Sequence, residues 1–336
     1  QLFIREHSSD DVRVLALQAK KYPDIDMPTA ITQIAGRKVA AEKIPSWWEI
    51  EKIWYPKHLS LEQCSSEITA RYKARLLQGD SLTDLTGGFG IDCSFLATGF
   101  KSTTYVERQE ELCEIAAHNF PVLSLNHINI KNEDGVTYLQ AMSPVDCLFL
   151  DPARRNEHGG KTVAISDCEP NVAELEELLL QKANRVMIKL SPMLDLSLAL
   201  KELKQTQEVH ILSVNNECKE LLILLGQTSP AEISIHCVNL FTKGTQKEQH
   251  FVFTREQEQC SECTYTDSLE TYLYEPNASL LKAGAFRSIA AAYPVRKLHP
   301  NSHLYTSDTF IENFPGRIFR IVNQCSFNKK EVKENL

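Results

Sequence analysis

The stretch Asp84-Leu-Thr-Gly-Gly-Phe-Gly90 follows the apolar run 81–85 and leads into a helical pattern that begins at Asp92. Strand, glycine-rich loop and helix therefore follow one another as they do in ligand-binding βα turns. Gly88 and Gly90 let the backbone pass close to a ligand, and the helix N-terminus presents free N–H groups to a polar or anionic moiety. The stretch predicts a ligand site, and a tight βα turn without a ligand is the plain structural alternative.

Short apolar runs and helical patterns alternate after this loop, which predicts an α/β fold with a doubly wound parallel sheet covered by helices on both faces. The later runs 221–225, 233–240 and 250–254 are joined by loops too short for crossover helices, so they are predicted to pair antiparallel at one edge. Residues before Asp80 indicate a helical N-terminal lobe, and residues after about 269 a small α+β domain. The predicted parallel strands are Ser81–Leu85, Thr103–Val106, His127–Asn132, Asp146–Leu150, Arg185–Leu190 and Glu208–Val214.

Acidic residues follow the second and third predicted strands. Glu107 can accept hydrogen bonds from both hydroxyls of a ribose, and Asp134 can accept one from the exocyclic amine of adenine. A helix N-cap for Glu107 and an Asp-Gly turn for Asp134 are the structural alternatives. Asp84 precedes the glycines and a third, pyrophosphate-type glycine is missing, which favours an adenosine ligand with a carboxylate and an amine, such as S-adenosylmethionine. The residues predicted to bind this cofactor are Asp84, Thr86, Gly88, Phe89, Gly90, Glu107 and Asp134.

The fourth predicted strand ends in Asp151-Pro152 at the sheet edge where such folds bind ligands. The proline stiffens the turn, so Asp151 and the neighbouring carbonyl can hold a planar amine in line with a methyl donor. Asp151 and Pro152 are therefore the predicted catalytic residues, with a plain βα turn as the alternative. Arg154, Arg155 and Lys189 are candidates for contacting the substrate, through phosphates or at the cleft.

Together these positions resemble the class I S-adenosylmethionine-dependent methyltransferases, and the wider sequence resembles bacterial RNA methyltransferases with a THUMP-like domain. The resemblance covers nearly the whole chain. After the helical lobe (1–78), it implies a Rossmann-like methyltransferase domain (79–268), a small ferredoxin-like domain (269–318) and the start of a truncated THUMP-like domain (319–336). It also implies RNA, either tRNA or rRNA, as the substrate. Besides the loop and residues 151–155, it rests on Gln33-Ile-Ala-Gly36, Glu62-Gln-Cys-Ser-Ser-Glu67, Lys189-Leu-Ser-Pro192, Glu217-Cys-Lys-Glu220, Tyr274-Glu-Pro276, Lys282-Ala-Gly284 and Phe314-Pro-Gly-Arg317.

The sequence departs from the pattern of amine methyltransferases, which carry a second proline and an aromatic residue where Ala153 and Arg154 stand. Two other functions therefore stay open beside RNA methylation: methylation of a protein or small molecule, and non-catalytic RNA binding that senses the cofactor. A dinucleotide-dependent oxidoreductase is the third alternative.

Composition and charge further limit the functional classes to which the protein can belong. The chain has 336 residues and a net charge of −8, which argues against a uniformly basic nucleic-acid binder. The charge is unevenly distributed along the chain, however. Residues 80–276 include 15 basic and 30 acidic residues, whereas residues 277–336 include nine basic and four acidic residues. No apolar run reaches the roughly 20 residues of a membrane span. No signal-peptide pattern opens the sequence, and the ten cysteines are scattered, so we expect a cytoplasmic protein without disulfide bonds. We also expect no bound metal and no obligate protein partner. Cys260-Ser-Glu-Cys263 has zinc-type spacing, but no second pair follows it.

Overall fold

The computed structural model describes residues 2–154, 164–228 and 230–325. Arg155 and most of the predicted THUMP-like segment lie outside these residues. The helices are α1 (Leu2–Glu6), α2 (Val12–Leu17), α3 (Met27–Lys43), α4 (Pro45–Trp48), α5 (His58–Gln63), α6 (Glu67–Ala74), α7 (Ile91–Ala97), α8 (Glu110–Val122), α9 (Gly135–Ala141), α10 (Val172–Lys182), α11 (Leu196–Glu202), α12 (Arg255–Cys260), α13 (Ala278–Ala283) and α14 (Phe286–Ala292), with 3₁₀ turns at Ala19–Lys21 and Ile165–Asp167.

The strands are β1 (Ser81–Asp84), β2 (Ser102–Glu107), β3 (Ile128–Asn132), β4 (Val145–Leu150), β5 (Ala153–Arg154), β6 (Cys168–Glu169), β7 (Ala183–Leu190), β8 (Thr206–Val214), β9 (Glu217–Gly226), β10 (Ser234–Leu240), β11 (Glu248–Thr254), β12 (Tyr272–Pro276), β13 (Arg296–Lys297), β14 (Tyr305–Ser307) and β15 (Gly316–Arg320). The chain divides into two compact units. The first comprises Gln1–Lys189, Ser197–Gln205 and Leu224–Gln227, and the second comprises Leu190–Leu196, Thr206–Ile223 and Thr228–Leu336.

In the first unit, β1, β2, β3, β4 and β7 lie in the order β3-β2-β1-β4-β7, and each neighbouring pair is parallel. Helices α7, α8, α9 and α10 supply the crossovers that parallel strands require. The order reverses between β1 and β4, since β2 and β3 follow on one side of β1 and β4 lies on the other. Ligands of such sheets bind at this switch point, outside the carboxyl ends of the strands. The predicted doubly wound α/β class is confirmed.

The helical segment before β1 shares a core with the glycine-rich loop in this first unit. The ring of Trp47 packs edge-on against Phe89, with centroids 5.2 Å apart, and Tyr55 lies within the same buried cluster. The sequence pattern predicts one helix from Ser60 to Leu77. The structure instead ends α5 at Gln63 and begins α6 at Glu67, because Cys64 and Ser66 take extended backbone. The domain boundary at residue 78 stays a prediction.

In the second unit, β8 and β10 are parallel neighbours, and β11 pairs antiparallel with β10. The prediction of antiparallel pairing among the later strands is correct for β10 and β11. It is wrong for β9 and β10, which are not neighbours, because β8 lies between them in the sheet order β11-β10-β8-β9. β9 returns the backbone to the starting end of β8, so β10 can pair parallel with β8 without a crossover helix. Asn215 and Asn216, both with positive φ, form the tight turn from β8 to β9.

A small antiparallel sheet in the order β13-β14-β12-β15 completes the second unit, with α13 and α14 between β12 and β13. Asn277 caps α13 through its side chain, and Gly284, at φ 75°, ends it. The single helix predicted over 278–292 is therefore two helices. Phe319 and Arg320, predicted to open a THUMP-like domain, are the last residues of β15. In the described part of the chain, no helix is long and apolar enough to cross a membrane.

Candidate active site

Asp84, the last residue of β1, is a buried carboxyl group beside the glycine-rich loop. It is 1% exposed, and its Oδ1 accepts a hydrogen bond from the backbone N–H of Thr86 at 3.0 Å. Its Oδ2 is buried and has no hydrogen-bond partner among the described residues. Burial raises the pKa of Asp84 well above its ordinary value. An ammonium group at Oδ2 would compensate this buried carboxylate, because burying a charge is favourable only when the charge is paired.

The glycine-rich loop is tightly packed on one side and open at Gly88. A Cβ on Gly87 would lie 2.2 Å from the ring of Tyr105, so only glycine fits there. Gly88 has a left-handed backbone with φ +53°, yet the nearest atom to a Cβ built on it is the Thr86 carbonyl oxygen, at 3.8 Å. Phe89 buries its side chain against Trp47, so a cofactor contact from this residue has to come from its backbone.

Glu107 ends β2 and holds the loop in place. Its Oε2 accepts a hydrogen bond from the N–H of Gly88 at 2.8 Å, and its Oε1 accepts one from the N–H of Gln109 at 2.8 Å. Each oxygen keeps a second lone pair, so these bonds are compatible with additional bonds to ribose hydroxyls. The ribose contact itself stays a prediction.

Asp134 caps the N-terminus of α9. Its Oδ1 accepts hydrogen bonds from the N–H groups of Val136, at 3.1 Å, and Thr137, at 2.9 Å. The following Gly135 lies against β1, where a Cβ would come within 2.2 Å of the Leu85 carbonyl oxygen. This approach places the exposed Asp134 near the loop, and its contact with adenine stays a prediction.

Asp151 follows β4, on the other side of the switch point. Its N–H donates to Oγ1 of Thr86 at 2.6 Å, which ties the end of β4 to the glycine-rich loop. Its carboxylate Oδ2 contacts the Lys189 ammonium at the end of β7. Burial raises the pKa of Asp151 above its ordinary value, although the Lys189 charge opposes this. Pro152 is buried in the turn that follows.

Arg154 lies in β5, opposite Cys168 of β6. The other predicted arginine, Arg155, lies outside the described residues. Direct contacts thus join Asp84, Thr86, Asp151 and Lys189 at the carboxyl edge of the sheet. A separate hydrogen bond joins Gly88 of the same loop to Glu107.

Two charged residues of this site were missed by the sequence analysis. Lys73 of α6 is fully buried, and its Nζ lies 2.9 Å from Oδ1 of Asp92 in α7. Ser65 donates to Oδ2 of the same carboxylate at 2.7 Å. Lys189 Nζ lies 3.6 Å from Asp92 Oδ2 and also contacts Asp151. Lys73, Asp92 and Lys189 are buried, and the Asp151 side chain is 36% exposed. We call these four residues the ion network.

The charges of the ion network balance one another. Burial opposes ionisation of Asp92, but the ammonium groups of Lys73 and Lys189 outweigh it and lower the pKa of Asp92 below its ordinary value. Two carboxylates and two ammonium groups then form a neutral set. Only the position of Asp92, directly after the glycine-rich loop, could have indicated its role in the sequence. Lys73 has no such signal, because a lysine in a short amphipathic helix is ordinarily solvated.

This arrangement is suited to binding a nucleoside that carries a cation. Asp84 offers a negative charge, Gly88 offers an open surface, and Glu107 offers carboxylate oxygens, all at the switch point. Asp151, held by Thr86 and Lys189, adds an acceptor close to the same loop.

Among solved structures, the chain is similar to one described as "putative methyltransferase from Porphyromonas gingivalis W83". The two chains are 35% identical with a TM-score of 0.87, and the match covers 99% of this chain and 83% of the relative. An rRNA methylase from Streptococcus thermophilus matches much more loosely, with 14% identity, a TM-score of 0.33, and 47% of this chain and 93% of the other covered. That likeness is too loose to bear on function.

Residues 272–315 match the family model of a ferredoxin-like domain, which confirms the small α+β domain expected at this end of the chain. None of the curated proteins matches the chain. The identity and coverage of the first relative are high enough to establish kinship. The chain belongs to the family of the Porphyromonas gingivalis methyltransferase-like protein.

Proposed function

We propose that this protein is an S-adenosylmethionine-dependent methyltransferase that acts on RNA. The proposal rests mainly on Asp84. Its carboxyl group is buried beside an open glycine-rich loop, and one of its oxygens has no hydrogen-bond partner among the described residues. A cofactor with an α-ammonium group and a ribose fits the charges and acceptors at this edge. Kinship with the Porphyromonas gingivalis relative supports methyl transfer as the activity.

In this proposal Asp84 binds the ammonium group, and the backbone of Thr86, Gly88, Phe89 and Gly90 lines the cofactor. Glu107 binds the ribose hydroxyls with the lone pairs it does not use to hold the loop, and Asp134 accepts from adenine. When bound, S-adenosylmethionine supplies an electrophilic methyl group on a sulfonium.

Asp151 is the proposed catalytic acceptor. Its Oδ2 faces Lys189, so its Oδ1 is the oxygen that accepts a hydrogen bond from the attacking group of the substrate. Pro152 stiffens the turn that carries Asp151, and Lys189 fixes the carboxylate orientation. Methyl transfer needs alignment more than a strong base, because the attacking lone pair must approach the methyl carbon in line. The proton released by the attacking group passes to Asp151 or to solvent.

RNA as the substrate rests on the charge distribution. Residues 277–336 carry nine basic and four acidic residues, while the segment 80–276 has twice as many acidic as basic residues. Phosphates are attracted to the basic segment and repelled by the acidic one, which would restrict where RNA binds. Arg154 and Arg155 are proposed as further phosphate contacts. A reducing, cytoplasmic compartment is proposed on the ten free cysteine thiols.

Transfer of a labelled methyl group from S-adenosylmethionine tests this function. The purified chain is incubated with unmodified rRNA and tRNA transcripts, and with protein and small-molecule fractions of a cell extract. Label in RNA is expected, and it disappears in Asp151→Asn. The matched control is Asp80→Asn, because Asp80 also pairs with a lysine, Lys101 at 3.0 Å, but lies exposed before β1. Label confined to protein or small molecules would contradict the RNA assignment.

A further inference from the structure

Three neighbouring strands of the second unit place a cluster of imidazole and carboxylate groups on one face. His210 of β8 lies directly opposite His236 of β10 in the parallel pair. Glu208 precedes His210 by two residues and therefore points to the same face. His250 of β11 lies diagonally across from His236, beside Val252, which pairs with His236. These residues come from separate sequence segments, and the folded sheet brings them together.

The distances within this cluster are those of metal ligands. One ligand atom from each of Glu208, His210 and His236 lies within 4.8 Å of the other two. Within this set, His210 Nε2 is 3.2 Å from Glu208 Oε2. His250, outside the set, places its Nε2 3.2 Å from Nδ1 of His236. Neighbouring ligand atoms of a tetrahedral ion with bonds of about 2.0–2.1 Å are roughly 3.3 Å apart. Small side-chain rotations would close the three-residue set around an ion.

Burial also suits a metal. His210 is 3% exposed, whereas His250 is exposed and the Glu208 side chain is 31% exposed, so one end of the cluster is buried and the other is open to an incoming ion.

We propose that Glu208, His210 and His236 bind a divalent transition-metal ion, with Zn²⁺ as the ion that two imidazoles and one carboxylate suit best. His250 is a positioning residue that holds the ring of His236. The ion cross-links β8 to β10 and leaves its fourth position to water. Cys260 and Cys263 have zinc-type spacing, but among the described residues they are not part of any group of three potential metal ligands.

Calorimetric titration of Zn²⁺ into the full chain, stripped of metal by a chelator, tests the site. One equivalent is expected to bind, and His210→Ala or His236→Ala to lower its affinity by more than about 100-fold, since even residues that only orient a ligand contribute about 10- to 100-fold. His250→Ala is expected to lower it by about 10- to 100-fold. His58→Ala is the matched control, because His58 also lies beside a glutamate, Glu62 at 3.6 Å, without a second histidine.

If a histidine variant fails to fold, Glu208→Gln provides a second test. The Glu208 side chain is partly exposed, so we expect this variant to fold. Zn²⁺ should raise the Tm of the unaltered chain, as any ligand of the folded state does, and raise that of Glu208→Gln much less. The double variant Cys260→Ser/Cys263→Ser should bind as the unaltered chain does. Absence of Zn²⁺ binding to the unaltered chain, unchanged affinity in His236→Ala, or loss of binding in the double cysteine variant would overturn the proposal.

Discussion

The ammonium group of Lys189, at the end of β7, contacts the carboxylate of Asp151, which follows the neighbouring strand β4. The same ammonium group lies 3.6 Å from Asp92, which pairs with the fully buried Lys73. The proposed catalytic carboxylate is therefore one end of a neutral network that reaches into the core. This relationship links the chemistry of Asp151 to the stability of the fold.

Lys189→Met should lower methyl transfer and change its pH dependence. Burial already raises the pKa of Asp151, and Lys189 opposes that rise. Activity should therefore fall as the pH is lowered through this raised pKa, and the variant, lacking the opposing charge, should lose activity at a higher pH. Rate against pH, measured at saturating S-adenosylmethionine, checks this. An acid limb at the same pH in both proteins would contradict the assignment of Asp151.

Lys73→Met should destabilise the fold by about 3–5 kcal/mol, because it leaves a buried carboxylate with less compensation. Adding Asp92→Asn should recover much of that loss, since the neutral amide no longer needs an ammonium partner. Urea unfolding of both single variants and the double variant forms the cycle that measures this coupling. Additive losses would show that the two residues do not act together.

The same pair predicts an acid dependence of stability. The folded-state pKa of Asp92 lies below its ordinary value of 3.8, so its contribution is present above that value and is lost as the pH falls through the folded-state pKa. In Asp92→Asn, the free energy of unfolding should fall less steeply below about pH 4. Urea unfolding at several acid pH values checks the slope, and an unchanged slope would refute the assignment.

Asp84→Asn should stabilise the ligand-free protein and weaken cofactor binding. A carboxyl with a raised folded-state pKa destabilises the fold as the pH rises past its ordinary value of 3.8, and the neutral amide removes that penalty at pH 7. A hydrogen bond to a charged group contributes about 1.5–3 kcal/mol, so affinity for S-adenosylhomocysteine should fall about 10- to 100-fold. A lower Tm together with unchanged affinity would reverse both conclusions.

Gly88→Ala should lose cofactor affinity at a modest loss of stability. Its left-handed backbone makes alanine unfavourable by about 1–2 kcal/mol, and the added methyl group points into the open space of the loop. Gly244→Ala is the matched control, because Gly244 has φ +88° and no atom within 4 Å of the added Cβ. Both variants should lose similar stability, and only Gly88→Ala should lose binding.

Local patterns predicted the parallel strands and most of the helices between them, because buried strands and glycine-rich loops leave strong signals in sequence. They gave no helix between β3 and β4, where the structure has α9. The antiparallel pairing predicted for β9 and β10 is wrong, because β8 lies between them and its parallel pairing with β10 is a long-range contact that local patterns do not indicate. The break between α5 and α6 at Cys64–Ser66 was also missed, because serine is tolerated inside helices as well as at their ends.

The candidate site, like the fold, was only partly predictable from the sequence. Asp84, Glu107 and Asp151 lie at the ends of predicted strands. Hydrophobic periodicity locates these strands, and a polar residue at a strand end indicates a possible binding or catalytic role. Lys73 and the cluster of His210 and His236 carry no local signal, because only tertiary packing brings them to their partners. Sequence reasoning therefore named candidates at strand ends, Lys189 among them, and missed Lys73 and the histidine cluster, whose partners lie on other elements.

Calorimetric titration with S-adenosylhomocysteine tests the central claim most directly, because it requires no known substrate. The unaltered chain should bind one equivalent, Asp84→Asn should bind about 10- to 100-fold more weakly, and NAD should not bind. A folded chain that does not bind S-adenosylhomocysteine, or that binds NAD instead, would contradict the assignment of the loop and the carboxylate as a methyltransferase cofactor site.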